Sequence, residues 1–262
     1  MNENGKTMYL NDIIAYKREE VGGMTSPSGK RSRPLVDPVA SLKERPFIAE
    51  IKRSSPSRGD IRTDVDHRAQ ARLYEAGGAG AISVLTDAKF FKGSFGMLGD
   101  VAAEVALPIL CKDFIIDEVQ IEHAFVAGAD FILLIAAVLS GGELKGLAAK
   151  AAELGMNVLY EIHGPDEFMK IKGLRPELVG VNSRDLKTFT TDPEAAMKTI
   201  RSLEGGFIRV AESGIESAAD VARYAESGAG AFLIGTALMT DADPAGKIRA
   251  FTEALGGRGH VR

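Results

Sequence analysis

Polar side chains, most of them able to act as acids or bases, stand at the ends of five short apolar runs. They are Glu50 with Lys52, Lys112, Glu161, Asn182 and Glu212. Lysine and glutamate act as acids and bases once burial or a neighbouring charge has shifted their pKa. A single such residue is most often an exposed strand end, and Glu50 with Lys52 could form a purely structural ion pair. Their repetition at the same end of each run favours a catalytic opening.

Two runs near the end of the chain are followed by glycine beside a hydroxyl residue, a combination suited to holding phosphate. The segments AESGI and LIGTAL place Ser213 with Gly214, and Gly235 with Thr236, directly after apolar residues. Glycine lets an oxyanion reach backbone N–H groups, and the hydroxyls add donors. Either pair alone is explained by a tight turn, but the two together predict a phosphate site.

The elements that must position these residues form a repeating unit: a helix-like stretch, a glycine turn and a short apolar strand. Eight strands are predicted within residues 47–52, 75–87, 108–114, 126–135, 153–162, 178–183, 207–213 and 227–236. They recur roughly every 26 residues, enough for a strand, a helix and two loops. Near-continuous apolar runs indicate parallel strands buried on both faces. We predict an α/β fold, a single (β/α)8 TIM barrel rather than an open sheet, because the turn IKRSSPSRGD lacks GxGxxG.

The chain divides into an N-terminal helix and loop extension, residues 1–45, packed on a catalytic barrel, residues 46–255. Apolar spacing over residues 8–21 predicts a helix ahead of the barrel. Residues 22–38 are rich in Gly, Ser and Pro and contain the basic cluster KRSR. We interpret that cluster as part of a solvated loop in preference to a binding patch.

Composition narrows the class of protein. The 262 residues carry a net charge of −4 and are 45% hydrophobic, which suits one sizeable core and gives no reason to expect a nucleic-acid partner. No run approaches the ~20 apolar residues that cross a bilayer, so we expect no membrane partner. The single cysteine, Cys111, fits a cytoplasmic protein, and we expect it to be a packed core thiol. The four histidines lack zinc-site spacing, so we predict no metal, and we expect a monomer.

Nine segments follow one another in a distinctive order. They read AEIKRSSPSRGDI, ISVLTD, FFKGS, PILCKDFIID, ADFILLIAAVL, LYEIH, GVNSRDL, RVAESGI and AFLIGTALM. The series resembles the indole-3-glycerol phosphate synthases, enzymes of tryptophan and thus aromatic amino acid biosynthesis. The likeness runs from about Leu35 to Met239, and its motifs are highly specific in combination. Residues 22–34 do not follow the family pattern.

The resemblance implies a lyase, a decarboxylase that works without a cofactor. Its small-molecule phosphosugar substrate is 1-(2-carboxyphenylamino)-1-deoxyribulose 5-phosphate, and indole ring closure releases CO2 and water. Lys112 is implied as the general acid at the substrate carbonyl. Glu161 is implied as base or proton relay during dehydration. Lys52 is implied as a contact for phosphate or carboxylate that also takes part in a later proton transfer.

The resemblance also implies the binding residues. It implies that the substrate hydroxyls are held, and the two lysines Lys52 and Lys112 are oriented, by Glu50, Asn182 and Glu212. The phosphate contacts Ser213, Gly214, Gly235, Thr236 and Lys52. The carboxylate and aryl pocket contains Arg184, Ser55, Phe91, Phe114 and Leu133. Cations suit an anionic phosphosugar and phenylalanines suit an aryl group. Burial and a second lysine lower the pKa of Lys112 while carboxylates raise it, and the sequence leaves the balance open.

Two other functions remain in competition. Another phosphosugar barrel enzyme, such as phosphoribosylanthranilate isomerase, would use the same phosphate site, but it relies on a cysteine after the first strand, where this chain has Lys52. A non-catalytic barrel that binds a phosphate ligand would have lost Lys112 or Glu161, and both are present.

Overall fold

A closed ring of eight parallel strands forms the centre of the computed structural model, which describes residues 10–56, 58–186 and 188–256. The strands are β1 (Phe47–Ile51), β2 (Ala81–Leu85), β3 (Ile109–Lys112), β4 (Phe131–Ile135), β5 (Asn157–Ile162), β6 (Leu178–Asn182), β7 (Ile208–Glu212) and β8 (Ala231–Ile234). Each strand pairs with the next, and β8 pairs with β1. The predicted TIM barrel is therefore confirmed. Residues 1–9 of the predicted extension lie outside the described residues, as do Ser57 and Lys187 of the barrel range.

Helices surround the ring of strands. They are α1 (Leu10–Gly22), α2 (Pro38–Glu44), α3 (His67–Gly77), α4 (Ala88–Phe91), α5 (Phe95–Glu104), α6 (Glu118–Ala127), α7 (Gly141–Glu153), α8 (Pro165–Ile171), α9 (Pro193–Ser202), α10 (Ala218–Glu226), α11 (Thr236–Met239) and α12 (Pro244–Gly256). A short hairpin, Ser54–Ser55 with Gly59–Asp60, follows β1. None of the helices within the described ranges is long and apolar enough to cross a membrane.

Local sequence signals mark the helix ends. Ser140 and Ser217 each cap a helix through a reciprocal pair of side-chain and backbone hydrogen bonds, which satisfies N–H groups that have no partner inside the helix. Gly78 and Gly128 end α3 and α6 with φ of 93° and 107°, a left-handed conformation that side chains disfavour. These turns return the chain directly into the following strand.

Alternation of side chains along the strands produces two apolar cores. One lies between the strands and the surrounding helices and contains Cys111, which is fully buried as predicted. The other fills the barrel. Leu42 of α2 packs into this inner core, and the Ser41 hydroxyl of the same helix donates to the Gly80 carbonyl before β2. Ile13 of α1 also joins the inner core, so the N-terminal helices contribute to it directly.

The basic cluster of residues 30–33 differs from the predicted solvated loop. Arg31 donates to the buried carboxylate of Asp130 at 2.6 Å and to the Ala129 carbonyl at 2.6 Å. Arg33 donates to two backbone carbonyls at the ends of α5 and the following loop. Only 6% of the Arg31 side chain and 14% of the Arg33 side chain are exposed. The physical reason is that Asp130 is buried and requires a cation, which the sequence pattern does not reveal.

Helix α1 is attached to the barrel by a buried lysine. Lys17 lies 2.8 Å from Asp87, at the start of α4, and 2.8 Å from Asp113, directly after β3. Burial alone would lower the pKa of Lys17, but these two carboxylates raise it above its ordinary value. Burial raises the pKa of Asp113, and the lysine opposes that change. Lys17 and Asp113 therefore depend on each other for their charges.

We expect Lys17→Met to reduce the free energy of unfolding by about 3–5 kcal/mol, because two buried carboxylates lose their cation. Denaturant unfolding measures the change. A suitable control is Lys150→Met, which removes a pair with Glu122 near the surface and should cost about 1 kcal/mol or less. Equal losses in the two variants would contradict the assignment of Lys17 as the anchor of α1.

Candidate active site

One pocket opens at the carboxyl ends of the strands, with about 1290 Å³ of empty space when its open mouth is included. Every site residue predicted from the sequence lines it: Glu50, Lys52, Ser55, Phe91, Lys112, Phe114, Leu133, Glu161, Asn182, Arg184, Glu212, Ser213, Gly214, Gly235 and Thr236. These residues come from all parts of the barrel, and the ring of strands brings them together. This end of a TIM barrel is where such enzymes build their active sites.

Four ionisable residues of the pocket come from alternate strands. Side chains at every second position share a face, and alternate strands of a barrel contribute to one layer. The odd-numbered strands contribute a polar layer: Glu50, Lys112, Glu161 and Glu212. Two positions earlier, the same strands contribute an apolar layer: Ile48, Leu110, Leu159 and Val210. The apolar layer is fully buried. The charged side chains therefore lie against a low-dielectric surface, which strengthens the electrostatic interactions between them.

Glu50 connects the two lysines. Its carboxylate lies 2.7 Å from the Lys52 ammonium and 3.8 Å from the Lys112 ammonium. Burial would raise the pKa of Glu50, but the two lysines hold that pKa below its ordinary value. Glu50 is therefore an ionised carboxylate that orients both cations.

The structure answers the question that the sequence left open for Lys112. Burial would lower its pKa, but Glu50, Glu161 and Glu212 together raise the pKa above the ordinary lysine value. Arg184 opposes this increase only weakly. Lys112 therefore keeps its proton through the neutral range and can donate a strong, charged hydrogen bond to an oxygen atom placed beside it.

Glu161 and Glu212 form a close pair of carboxyl groups. Burial raises the pKa of Glu212 well above its ordinary value, and the charge of Glu161 raises it further. Both Glu212 oxygens and Oε1 of Glu161 lack a hydrogen-bond donor among the described residues. Two like charges this close cannot both remain ionised without cost, so the pair is suited to holding one proton. That proton is available to a ligand in the pocket.

Gly180 and Gly235 provide the space for the carboxylates of Glu212 and Glu50. A Cβ on Gly180 of β6 would lie 1.9 Å from Oε1 of Glu212. A Cβ on Gly235 would lie 2.2 Å from Oε1 of Glu50 and 2.8 Å from Nζ of Lys52. Sequence reasoning gave Gly235 only a phosphate-binding role and did not identify Gly180, because a glycine inside an apolar strand does not reveal which side chain lies opposite it.

The two predicted glycine loops are neighbours because β7 and β8 pair directly. Ser213 and Gly214 both adopt left-handed backbone, with φ of 64° and 68°. The Ser183 hydroxyl donates to the Ser213 carbonyl at 3.0 Å and stabilises this turn. A non-glycine residue held in this region is strained, which is common at ligand sites. Gly235 and Thr236 follow β8 at the start of α11.

The opposite side of the pocket is apolar. The rings of Phe91 and Phe114 lie 6.4 Å apart at 42°, and Leu133 is buried beside Phe114 in the inner core. Leu10 and Ile13 of α1 complete this wall. These two residues were not predicted, because their helical spacing indicates a buried face without indicating what it covers.

Arg184 and Ser55 lie at the rim. The Arg184 guanidinium donates to the Phe189 carbonyl at 2.8 Å, and its backbone N–H donates to the Asn182 side chain at 2.9 Å. Burial and Arg58 lower the pKa of Arg184, which remains a cation. The Ser55 hydroxyl accepts from the Arg58 backbone N–H at 3.2 Å and so orders the first loop. Within the described ranges, no cluster of three His, Cys, Asp or Glu residues is arranged to hold a metal.

Comparison with known proteins gives a consistent family. The sequence profile described as indole-3-glycerol phosphate synthase matches residues 10–251. An indole-3-glycerol phosphate synthase of Bacillus cereus is 44% identical over 247 residues, covering 93% of this chain and 96% of the relative. One from Bacillus anthracis is 44% identical over 234 residues, covering 88% of this chain and 92% of the relative.

Solved structures with lower identity share the fold. A thiamine phosphate pyrophosphorylase from Pyrococcus furiosus has a TM-score of 0.62 at 14% identity and covers 83% of this chain and 98% of its own. A 3-hexulose-6-phosphate synthase from Salmonella typhimurium has a TM-score of 0.62 at 17% identity, with 80% and 98% covered. At such identities these matches support only the barrel architecture.

We expect the pKa of Glu212 to move in opposite directions in two variants. Glu161→Gln removes the neighbouring negative charge, so the pKa of Glu212 should fall. Lys112→Met removes a positive charge that lowers this pKa, so the pKa should rise. Carboxyl ¹³C NMR of glutamate-labelled protein follows the titration, and circular dichroism checks the fold. Shifts of the same sign in both variants would refute the coupled arrangement.

Proposed function

Because the chain belongs to the indole-3-glycerol phosphate synthase family, we propose that its pocket closes the indole ring of 1-(2-carboxyphenylamino)-1-deoxyribulose 5-phosphate. The reaction releases CO2 and water and is the lyase step of tryptophan biosynthesis that forms indole-3-glycerol phosphate. The observation that carries the assignment to this pocket is the position of Lys112. Its ammonium group interacts with three carboxyl groups of one layer, Glu50, Glu161 and Glu212, in a pocket that also contains the paired glycine loops.

Lys112 acts as the general acid during ring closure. The substrate ketone is attacked by the aromatic carbon that bears the carboxylate, and a negative charge develops on the ketone oxygen. Lys112 donates its proton to this oxygen as the carbon–carbon bond forms. The raised pKa of Lys112 supports this role because the residue is in its acid form at neutral pH. Glu50 holds the ammonium group in place.

Two further steps complete the indole. The carboxylate leaves as CO2, and its bonding electrons return to the ring. The new hydroxyl then leaves as water after receiving a proton, and one proton is lost from the ring being formed. Glu161 and Lys52 are the candidates for these transfers. The Glu161–Glu212 pair supports a proton-holding role, since the raised pKa of Glu212 keeps a proton in the layer.

Different parts of the pocket are assigned to different groups of the substrate. We assign the phosphate to Ser213, Gly214, Gly235 and Thr236, with Lys52 beside them because β1 pairs with β8. The aryl group fits the apolar wall of Phe91, Phe114 and Leu133, and Arg184 attracts the carboxylate. Asn182 and Ser55 orient the substrate hydroxyls and the first loop.

The pocket residues all belong to one chain, so a monomer suffices for this chemistry. A phosphorylated substrate does not cross a bilayer unaided because its charge is costly to desolvate. A cytoplasmic location, where such metabolites are made, follows from that argument. We propose that the N-terminal extension completes the apolar wall through Leu10 and Ile13 of α1, and that residues 46–255 form the catalytic barrel.

Purified wild-type protein should convert the carboxyphenylamino-deoxyribulose phosphate into a product with indole fluorescence, which stands out because the chain contains no tryptophan. Lys112→Met should lower kcat at least about 10²-fold, since the reaction loses its positioned acid. Lys145→Met, at an exposed position on α7, is the matched control. Wild-type turnover by Lys112→Met would remove Lys112 from this role.

Two glycine variants separate binding from chemistry. Gly214→Ala strains a turn with φ of 68° and should raise KM for the substrate and weaken competition by inorganic phosphate. Gly235→Ala should also lower kcat, because its Cβ would displace the Glu50 carboxylate and the Lys52 ammonium. Gly146→Ala is the control, because no atom beyond the adjacent backbone of its own helix lies within 4 Å of the added Cβ. Unchanged phosphate competition in both site variants would show that the phosphate binds elsewhere.

A further inference from the structure

Arg58 is a second guanidinium at the mouth of the pocket, and the steps of the proposed reaction do not use it. It lies in the turn of the hairpin that follows β1. Its side chain lines the pocket, as that of Arg184 does. Because 49% of the Arg58 side chain is exposed, the guanidinium borders both the pocket and the solvent. A cation at this place can meet a ligand as it enters.

The two arginines repel each other across the mouth. Burial lowers the pKa of Arg184, and the positive charge of Arg58 lowers it further. Glu50 and Glu216 act in the opposite direction and raise that pKa. Two neighbouring cations are stable together when an anion lies close to both, because the attractions then offset the repulsion. Glu216 is an anion that acts on both arginines.

Glu216 follows the first glycine turn and forms an ion pair with Arg58. Its Oε1 atom lies 2.8 Å from Nη2 of Arg58, and 64% of the glutamate side chain is exposed. Glu216 also lines the pocket. An ion pair this exposed is weak, because water solvates both partners when they separate. Arg58 can therefore leave Glu216 for an anion bound in the pocket at little cost.

Other contacts keep the hairpin in place when Arg58 changes partner. The Ile61 backbone N–H donates to the Arg53 carbonyl at 2.8 Å and closes the hairpin at its base. Asp60 pairs with Lys92, which follows α4, at 2.6 Å. These contacts are independent of the ion pair at the mouth, so the guanidinium can change partner by side-chain rotation alone.

Resting on the proposed function, we propose that Arg58 binds the substrate carboxylate together with Arg184, and that Glu216 binds Arg58 until that carboxylate enters the pocket. The aryl carboxylate has the same charge and the same two oxygens as Glu216, so it suits the planar guanidinium equally well. Arg58 thereby exchanges an exposed partner for one beside the apolar wall, where the attraction is stronger. Once CO2 has formed, the uncharged product no longer attracts Arg58, and the pair with Glu216 forms again.

Two variants of the ion pair should change KM in opposite directions. Arg58→Met should raise KM about tenfold, because the carboxylate loses a charged hydrogen bond. Its kcat should change less than about threefold, since the carboxylate is still present when the ring closes and the contact is lost equally from both states. Glu216→Gln should lower KM about threefold, because the guanidinium loses a competing carboxylate. In the double variant, the effect of Glu216→Gln should disappear.

An ion pair that only clamps the hairpin over the pocket predicts instead that KM rises in both single variants. An unchanged KM in Arg58→Met, or the lack of a decrease in Glu216→Gln, overturns the inference. The matched control is the ion pair of Arg223 with Glu194, which joins α10 to α9 at similar exposure and does not line the pocket. Arg223→Met and Glu194→Gln should leave KM unchanged. Circular dichroism checks that each variant is folded.

Direct binding of 2-aminobenzoate, the aryl half of the substrate, tests which anion Arg58 meets. Its fluorescence can be followed without interference, because the chain contains no tryptophan. Arg58→Met should weaken binding of 2-aminobenzoate about tenfold. Binding of the neutral 2-aminobenzamide and inhibition by inorganic phosphate should stay as in the wild type.

Equal losses for the acid and the amide would indicate damage to the aryl wall, and a loss confined to phosphate would assign Arg58 to the phosphate; either result overturns the inference. The titration needs no turnover. Absence of ring closure by the wild type would overturn the proposed function, whereas wild-type binding of 2-aminobenzoate by Arg58→Met would overturn the role of Arg58. The two failures are therefore distinguishable.

Discussion

Among the ionisable side chains of the pocket, five lie in close mutual contact at its base, and the barrel can keep them there only if their charges nearly cancel. An unpaired charge in such a place costs several kcal/mol. Glu50, Glu161 and Glu212 face Lys52 and Lys112, so three carboxyl groups oppose two ammonium groups. With one proton held by Glu212, the remaining charges balance. The lowered pKa of Glu50 and the raised pKa values of Lys112 and Glu212 are consequences of this single requirement.

A balanced layer leaves the opening ready for a charged ligand. In the proposed function, an incoming phosphate and carboxylate bring new negative charge, which we assign to Arg184 and to the backbone N–H groups near Gly214. The layer keeps its shape because Gly180 and Gly235 leave space for it and because the apolar floor excludes water. The same contacts therefore serve both the chemistry and the stability of the protein. Helix α1, which Lys17 anchors to the barrel, covers the site from outside.

Much of this arrangement could be predicted from the sequence because strand ends in a barrel converge by geometry. The repeat of about 26 residues predicts eight strands, and the polar residues at the ends of five of the apolar runs predict the pocket. Other features depend on contacts between distant residues. The burial of Arg31 follows from Asp130, ninety-nine positions away. The place of Ile13 in the apolar wall depends on where α1 docks. The sign of the pKa shift of Lys112 depends on its distances from neighbouring groups of opposite and like charge. The spacing of residues along the sequence does not specify these contacts.

The order of the strands also separates the functional groups along the gene. The first four strands and their loops contribute both lysines and the phenylalanine wall, whereas the last four contribute the Glu161–Glu212 pair and both glycine turns. The first half would hold two lysines with Glu50 as their only carboxylate of the layer, and the second half would hold the Glu161–Glu212 pair without either lysine. Each half would then face the electrostatic repulsion that the intact ring removes. Closure of the complete barrel is therefore also the step that stabilises the buried charges of the pocket.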